Sequence, residues 1–356
     1  MDVYRRSPDY RGARPSPLRR LGQLFFALIL LGGLAAGLFL LFFRGYVVEG
    51  PDGLQLQPPL LKAGTRAAPV SGTVDNVTLP EEPSAIAPTP SPDPLQAVYL
   101  PLDTLVDGSY EEALRQNRGN AVLFDMKDRR GNLGFVSEQP LAIDSGASAA
   151  DPERNDTISA MNREEDLYTI ARIACFRDDT LIARRPDLSL LRVSGSPWRD
   201  EDGAPWLSPA SGEVQSYLLE LCREAAALGF DEVLLTHCAY PTKGSLEDLP
   251  DACRDIDASE TVLEDFYSEV RALLEQEGVR LSILWESSPS DDRGRPLSGQ
   301  TVQGVMLGAH RIWTSEVQAV QTFDVGQPPR DGSALVTIRS EPGDAGASWA
   351  ICPAVF

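Results

Sequence analysis

Short apolar runs recur along the chain after residue 96, and their pattern predicts strands. Eight such runs stand out: Ala97–Leu100, Ala121–Lys127, Tyr168–Phe176, Glu232–His237, Arg280–Glu286, His310–Ser315, Ala334–Ser340 and Ser348–Cys352. Several are almost continuously apolar, which is typical of parallel strands that are buried on both faces. The sequence therefore predicts eight strands within one large domain, which we place at residues 96–356.

Between some of these runs the apolar residues change to helical spacing. Val214–Leu228 is amphipathic and is followed by Gly229, a residue type that often ends helices. A second helix is expected to begin at a cap on Ser259 and to end before Gly278. Strands that alternate with helices predict an α/β fold, and we expect a (β/α)8 TIM-like barrel, with a doubly wound open sheet as the alternative.

The longest apolar run lies near the N-terminus. Gln23–Phe43 is twenty-one residues without a charge, and about 20 apolar residues suffice for a helix to cross a bilayer. A cleaved signal peptide is the alternative, but its apolar part usually spans only about 7–15 residues and ends at small side chains. Because this run is longer and ends in Phe42 and Phe43, we expect an uncleaved transmembrane helix that acts as a signal-anchor.

Charge predicts the orientation of this helix. Six arginines and only two aspartates lie in residues 1–22, and basic flanks stay on the cytoplasmic side. We therefore expect a basic cytoplasmic tail over 1–22 and a single-pass protein of the cell membrane, with its C-terminal domain extracytoplasmic. The chain as a whole has a net charge of −20, and such an acidic domain repels nucleic acid.

Residues 44–95 are rich in Pro, Ala, Thr and Ser, which predicts a disordered stalk or linker. The five cysteines show no CxxC spacing. We expect them to be buried apolar side chains, with a disulfide between Cys238 and Cys253 as the alternative.

Candidate chemistry lies at the ends of the predicted strands, where the active sites of such barrels form. Glycoside hydrolysis needs two carboxyl groups, and we expect Glu286 and Asp125 to fill these roles. Aromatic, basic and hydrogen-bonding side chains near the same ends are the expected substrate-binding residues: Lys127, Arg172, His237, Tyr240, Trp285 and Trp313. For Lys127 the alternative is an ion pair inside the barrel that contacts no ligand.

Other chemistries lack their sequence signatures. The two histidines, His237 and His310, do not stand at metal-binding spacing. No GxSxG elbow, P-loop or strand-linked GxGxxG occurs. We therefore expect no cofactor and no metal.

Four segments together resemble a bacterial family of extracellular glycoside hydrolase-like proteins with a (β/α)8 barrel, whose members are often membrane-anchored. They are NAVLFDMKDRRGNLGF (120–135), YTIARIACFRDDTLIARRPDL (168–188), Trp206–Pro209 and YLLELCREAAALGFDEVLLTHCAYP (217–241). The resemblance implies a carbohydrate ligand, such as cell-wall polysaccharide or the glycan of peptidoglycan.

This sequence departs from the family at the fourth strand. There the family places a catalytic Asp and an aromatic residue, followed by an Arg, an aromatic residue and a Pro. Here the matching positions are Thr236, His237, Ala239, Tyr240 and Pro241. Thr cannot replace a carboxylate without an activating base. The protein is then either a hydrolase that uses Glu286 and Asp125, or a possible pseudoenzyme: an inactive glycan-binding or structural surface module. The sequence leaves these alternatives open.

Overall fold

The computed structural model describes residues 47–50, 53–56, 91–286, 288–315 and 334–352. The chain divides into two units, residues 1–80 and 81–356. In the first unit, Val47–Gly50 and Gly53–Leu56 form an antiparallel two-stranded sheet, so the linker predicted over 44–95 contains regular structure. The predicted transmembrane helix, Gln23–Phe43, and the basic tail lie outside the described residues. Within the described ranges, no helix combines the length and apolar character that crossing a membrane requires.

The second unit is a closed barrel of eight parallel strands, each hydrogen-bonded to the next and the last to the first. The strands are β1 (Gln96–Tyr99), β2 (Ala121–Lys127), β3 (Tyr168–Ala174), β4 (Glu232–Thr236), β5 (Arg280–Leu284), β6 (Arg311–Ser315), β7 (Ala334–Arg339) and β8 (Trp349–Ile351). This confirms the predicted (β/α)8 TIM-like barrel and excludes the doubly wound sheet. Each predicted apolar run overlaps one of these strands, and seven of the eight runs contain theirs completely.

Helices of very different length connect the strands. They are α1 (Asp103–Asp107), α2 (Tyr110–Asn117), α3 (Pro140–Ser145), α4 (Arg154–Met161), α5 (Asp179–Arg184), α6 (Gly212–Ala227), α7 (Ile256–Gln276) and α8 (Val302–Gly308). The predicted start of α7 at Ser259 is wrong. The cap is Asp255, whose carboxylate accepts the Ala258 amide at 3.3 Å, while Ser259 lies in the first turn and donates its hydroxyl to the Asp255 carbonyl.

Successive side chains along each strand point to opposite faces of the barrel wall, and this produces two apolar layers. Side chains on the outer face of the barrel pack against the helices, as Val122, Phe124 and Ile173 do. Side chains on the inner face, among them Leu123 and Trp313, form a separate cluster inside the barrel. All five cysteines are free thiols, and only Cys253 is not fully buried.

A polar network closes the N-terminal end of the barrel. Glu232, the first residue of β4, accepts hydrogen bonds from the Tyr168 hydroxyl at 2.9 Å and from Ser282, and forms an ion pair with Arg311. Arg311 also donates to Ser91 and to the Pro92 carbonyl. Residues 91–95, which the sequence assigns to the linker, therefore belong to the barrel.

Candidate functional site

A cavity of about 470 Å³ lies at the C-terminal ends of β4 and β5 and is bordered by the loop that follows β3. Three of the residues predicted for a sugar site line it: His237, Tyr240 and Glu286. His237 follows β4 directly, and Glu286 stands two residues after β5. The barrel thus brings together side chains that are about fifty residues apart in sequence, at the end where such folds place their sites.

Glu286 is an exposed residue that lines this cavity. Among the described residues, this carboxylate forms no hydrogen bond or ion pair, while its backbone amide donates to Gln300 Oε1 at 3.2 Å. Gln300 is itself buried and donates to the Leu284 carbonyl and to Tyr267. Desolvation by the surrounding protein raises the pKa of Glu286 above its ordinary value, and the Lys243 ammonium partly opposes this shift. A carboxyl group that keeps its proton closer to neutral pH is suited to act as a general acid.

His237 has an unusual backbone and an uncharged ring. Its φ is 46°, in the left-handed region that His adopts more readily than most side chains do. Burial, and then the charges of Arg177 and Arg172, lower its pKa to about 3. The ring lies 6.1 Å from that of Trp206, and its Nδ1 is buried without a hydrogen-bond partner among the described residues. A neutral imidazole offers one donor and one acceptor, which matches a sugar hydroxyl.

Asp125 does not line the cavity that contains Glu286. Its carboxylate receives two hydrogen bonds from the Arg172 guanidinium, one of them at 2.6 Å, and a third from the Tyr99 hydroxyl at 3.0 Å. Burial, and then the charge of Asp125, raise the pKa of Tyr99 to about 12. Asp125 and Arg172 are therefore held in one polar cluster, formed from three neighbouring strands.

The other predicted contacts lie inside the protein. Lys127 is fully buried, lies 2.9 Å from Asp178 and donates to the Ala174 carbonyl at 2.7 Å. This arrangement corresponds to the buried ion pair that was the alternative for Lys127, although its partner is Asp178 and not Asp125. Trp285 and Trp313 are buried, Trp313 within the barrel interior. None of these three side chains lines the cavity.

An acidic loop that the sequence pattern did not predict borders the cavity. Asp200, Glu201 and Asp202 all line the same cavity as Glu286. Asp200 accepts the indole N–H of Trp206 at 2.9 Å, and Glu201 lies 3.2 Å from Lys243. Three acidic residues in the segment WRDEDGAPW, between two tryptophans, are the signal that would have pointed to this loop.

Thr236 ends β4, one position before His237. Its side chain is fully buried, and its hydroxyl has no hydrogen-bond partner in the part of the chain that the structure describes. Within that same part, no group of three or more His, Cys, Asp or Glu side chains could hold a metal ion.

The sequence matches the model of a family described as "Putative glycosyl hydrolase domain" over residues 97–285, which is 189 of its 356 residues. The chain belongs to this family. A glycoside hydrolase-like domain is thereby established, and a glycan is its general class of ligand. The family match ends at Trp285, directly before Glu286.

Several solved structures are similar to this chain. A hypothetical protein from Ruminiclostridium thermocellum is 24% identical, with 56% of this chain and 98% of that chain covered and a TM-score of 0.43. The exo-β-N-acetylglucosaminidase of Vibrio harveyi is 13% identical (72% and 45% covered, TM-score 0.49). The β-N-acetylhexosaminidase of Bacteroides fragilis is 10% identical (69% and 50% covered, TM-score 0.47).

This chain spans about half the length of those two enzymes. No curated protein matches it. No inference about function rests on these likenesses.

Proposed function

We propose that this protein is a membrane-anchored glycoside hydrolase-like protein that acts on cell-surface polysaccharide or on the glycan of peptidoglycan. The observation that carries the proposal is Glu286, an exposed carboxyl group of raised pKa in a cavity at the C-terminal end of a family barrel. In this proposal Glu286 protonates the leaving oxygen of the glycosidic bond. His237 and Tyr240 bind sugar hydroxyls beside it.

The second carboxylate that hydrolysis requires has two candidates. Asp125 is the one that the sequence predicts, but a substrate must compete for it with Arg172 and Tyr99. Asp202 lies in the cavity of Glu286, its side chain is 66% exposed, and within the described residues its one ion-pair partner is Arg177, at 3.4 Å. Replacing each by Asn discriminates between them, since the true partner is the one whose loss abolishes turnover while glycan binding persists.

A specific observation favours a second function, glycan binding without cleavage. The resemblance implies a catalytic Asp at the end of β4, and Thr236 occupies that position with its hydroxyl buried. A domain of this kind would use the same cavity to hold the protein against surface glycan.

Release of reducing ends from a panel of cell-wall polysaccharides and peptidoglycan separates the two functions. We expect the full-length chain to release them and Glu286→Gln to lose this activity. Glu269→Gln, on the exposed face of α7, is the matched control and should keep it. Identical background release by all three proteins would refute hydrolysis. Retention of all three on insoluble cell wall would then support the binding function, and no retention would refute that as well.

The proposed membrane anchor is Gln23–Phe43, with its basic N-terminal flank in the cytoplasm. Its support is the length of the apolar run and the distribution of arginine. The protein should stay in the membrane pellet after an alkaline carbonate wash, and external protease should degrade the barrel on intact cells or, if an outer membrane is present, on spheroplasts. Release by carbonate, or protection from external protease, would contradict the anchor or its orientation.

A further inference from the structure

A second cavity, of about 420 Å³, adjoins the one that contains Glu286. Arg177 and Asp202 line both cavities. The second cavity is otherwise bordered by Arg129 and Arg130, from the loop that follows β2, and by Asp179 at the start of α5. Any polymer that occupies the first cavity therefore has a basic wall next to it.

Two of these three arginines have no acidic partner among the described residues. Arg177 lies 3.7 Å from Asp200 and 3.4 Å from Asp202, so its charge is balanced. In the described part of the chain, no carboxylate lies within ion-pair distance of Arg129 or Arg130. The cavity thus has three guanidinium groups and two carboxylates, Asp179 and the Asp202 that pairs with Arg177, which is an unusual excess of positive charge in a chain whose net charge is −20.

The loop that carries these arginines is fixed by backbone contacts. The Arg130 amide donates to Asp128 Oδ1 at 2.8 Å, and its carbonyl accepts the amides of Asp179 and Thr180 at 3.0 and 2.9 Å. Gly131 follows with a φ of 93° and approaches Asp178 so closely that a Cβ would stand 1.9 Å from Asp178 Oδ1. The main chain of the loop is therefore positioned before any ligand arrives.

The positive charge of this wall extends into the first cavity. After burial, the strongest influence on the lowered pKa of His237 is Arg177, and Arg129 contributes in the same direction. Arg177 and the acidic loop thus lie together at the border of the two cavities, with Glu286 in the first cavity and Arg129 and Arg130 in the second.

We propose that the second cavity is a subsite for an anionic substituent of the glycan, a carboxylate or a phosphate, on a sugar unit adjacent to the one beside Glu286. Guanidinium groups bind such oxyanions through paired, charge-assisted hydrogen bonds, which a neutral sugar does not offer. This subsite rests on the proposed glycan function and specifies its ligand as an acidic polysaccharide.

Binding of simple probes to the full-length chain tests the subsite. The probes are glucuronate, glucose 6-phosphate, glucose and inorganic phosphate, each titrated calorimetrically at low and at high ionic strength. We expect the two anionic sugars to bind at least about tenfold more tightly than glucose. Arg129→Gln combined with Arg130→Gln should abolish this preference, and salt should reduce it. The control is Arg163→Gln with Arg280→Gln, which removes two exposed charges elsewhere and should preserve the preference.

Each outcome decides the proposal. A preference for glucuronate alone identifies a carboxylate subsite, and a preference for glucose 6-phosphate alone a phosphate subsite. Equal affinity for glucose and the anionic sugars, no binding of the anionic sugars, or an unchanged preference in the Arg129 and Arg130 double variant would overturn it. If inorganic phosphate bound as tightly as both anionic sugars, the cavity would be an anion site without glycan specificity, and the proposal would also be overturned. Failure of the glycan function itself would appear separately, as absence of both turnover and retention in the Glu286 experiment.

Discussion

The two ends of the barrel each hold a glutamate next to β4 or β5, and the two side chains are in opposite situations. At the N-terminal end, Glu232 is fully buried and bound by Tyr168, Ser282 and Arg311. At the C-terminal end, Glu286 is exposed to a cavity, and its carboxylate has no hydrogen-bond or ion-pair partner among the described residues. Only a carboxylate whose oxygens are accessible can exchange a proton with a ligand. Availability, and not the residue type, therefore separates the structural glutamate from the one that we propose to be functional.

Replacement of Glu286 by Gln is expected to have the largest effect on function. The amide keeps the size of the side chain but cannot donate a proton as an acid, so kcat should fall by about 10²–10⁴-fold. Stopped assays of reducing-end release measure the change, with Glu269→Gln as the control. Full activity of Glu286→Gln would contradict the proposed difference between the two glutamates, because Glu286 would then have no chemical role.

Replacement of Glu232 by Gln should affect stability. It leaves Arg311 buried without its counter-charge, and breaking a buried ion pair costs about 3–5 kcal/mol. Denaturant unfolding of the variant measures this loss. Replacing both partners, with Glu232→Leu and Arg311→Met, should recover part of the stability, since no unpaired charge then stays buried. A Glu232→Gln variant as stable as the wild type would show that this end of the barrel is hydrated.

Variants of His237 test the backbone that directs its ring into the cavity. At a φ of 46°, the Cβ of either His or Ala crowds the following carbonyl, but Ala lacks the polar side chain that makes this region more favourable for His and Asn. Ala should therefore destabilise the protein by a fraction of the roughly 1–2 kcal/mol that this region costs an L-residue. Asn tolerates this conformation better and should lose less. Thermal unfolding compares the two variants, and both should weaken glycan retention. Equal stability of Ala and Asn would show that this backbone conformation is not strained.

The pH dependence of stability should also distinguish the ends. Because the folded pKa of Glu286 is raised above 4.5, the native state binds more protons than the unfolded state between the two values, and stability falls as pH rises through that window. Glu286→Gln lacks this penalty. Its Tm should match that of the wild type below about pH 4 and exceed it at neutral pH. A Tm difference that does not change with pH would contradict the raised pKa.

Removal of the Lys243 charge is the most subtle change. This ammonium lowers the pKa of Glu286, so Lys243→Gln should raise it further and move the alkaline limb of the pH–rate profile to slightly higher pH. The limb reports loss of the acid's proton. A shift to lower pH would mean that another group limits the rate.

The sequence predicted the barrel strands better than the site. Largely apolar runs such as Ala121–Lys127 indicate strands because burial on both faces favours apolar side chains at successive positions. The arrangement around Asp125 depends on strand register, which pairs Asp125 with Arg172 and cannot be read from either strand alone. The acidic loop at Asp200–Asp202 follows β3, whereas the cavity lies at the ends of β4 and β5. Only the folded barrel brings this loop to the cavity, so the sequence alone does not place it there.

The contacts of Ser91 and Pro92 with Arg311 have a consequence for access. They place the incoming polypeptide at the starts of the strands, while the cavity opens where the strands end. Residues 91 and 92 therefore lie at the opposite end of the barrel from the cavity and occupy none of the space that its ligand would need.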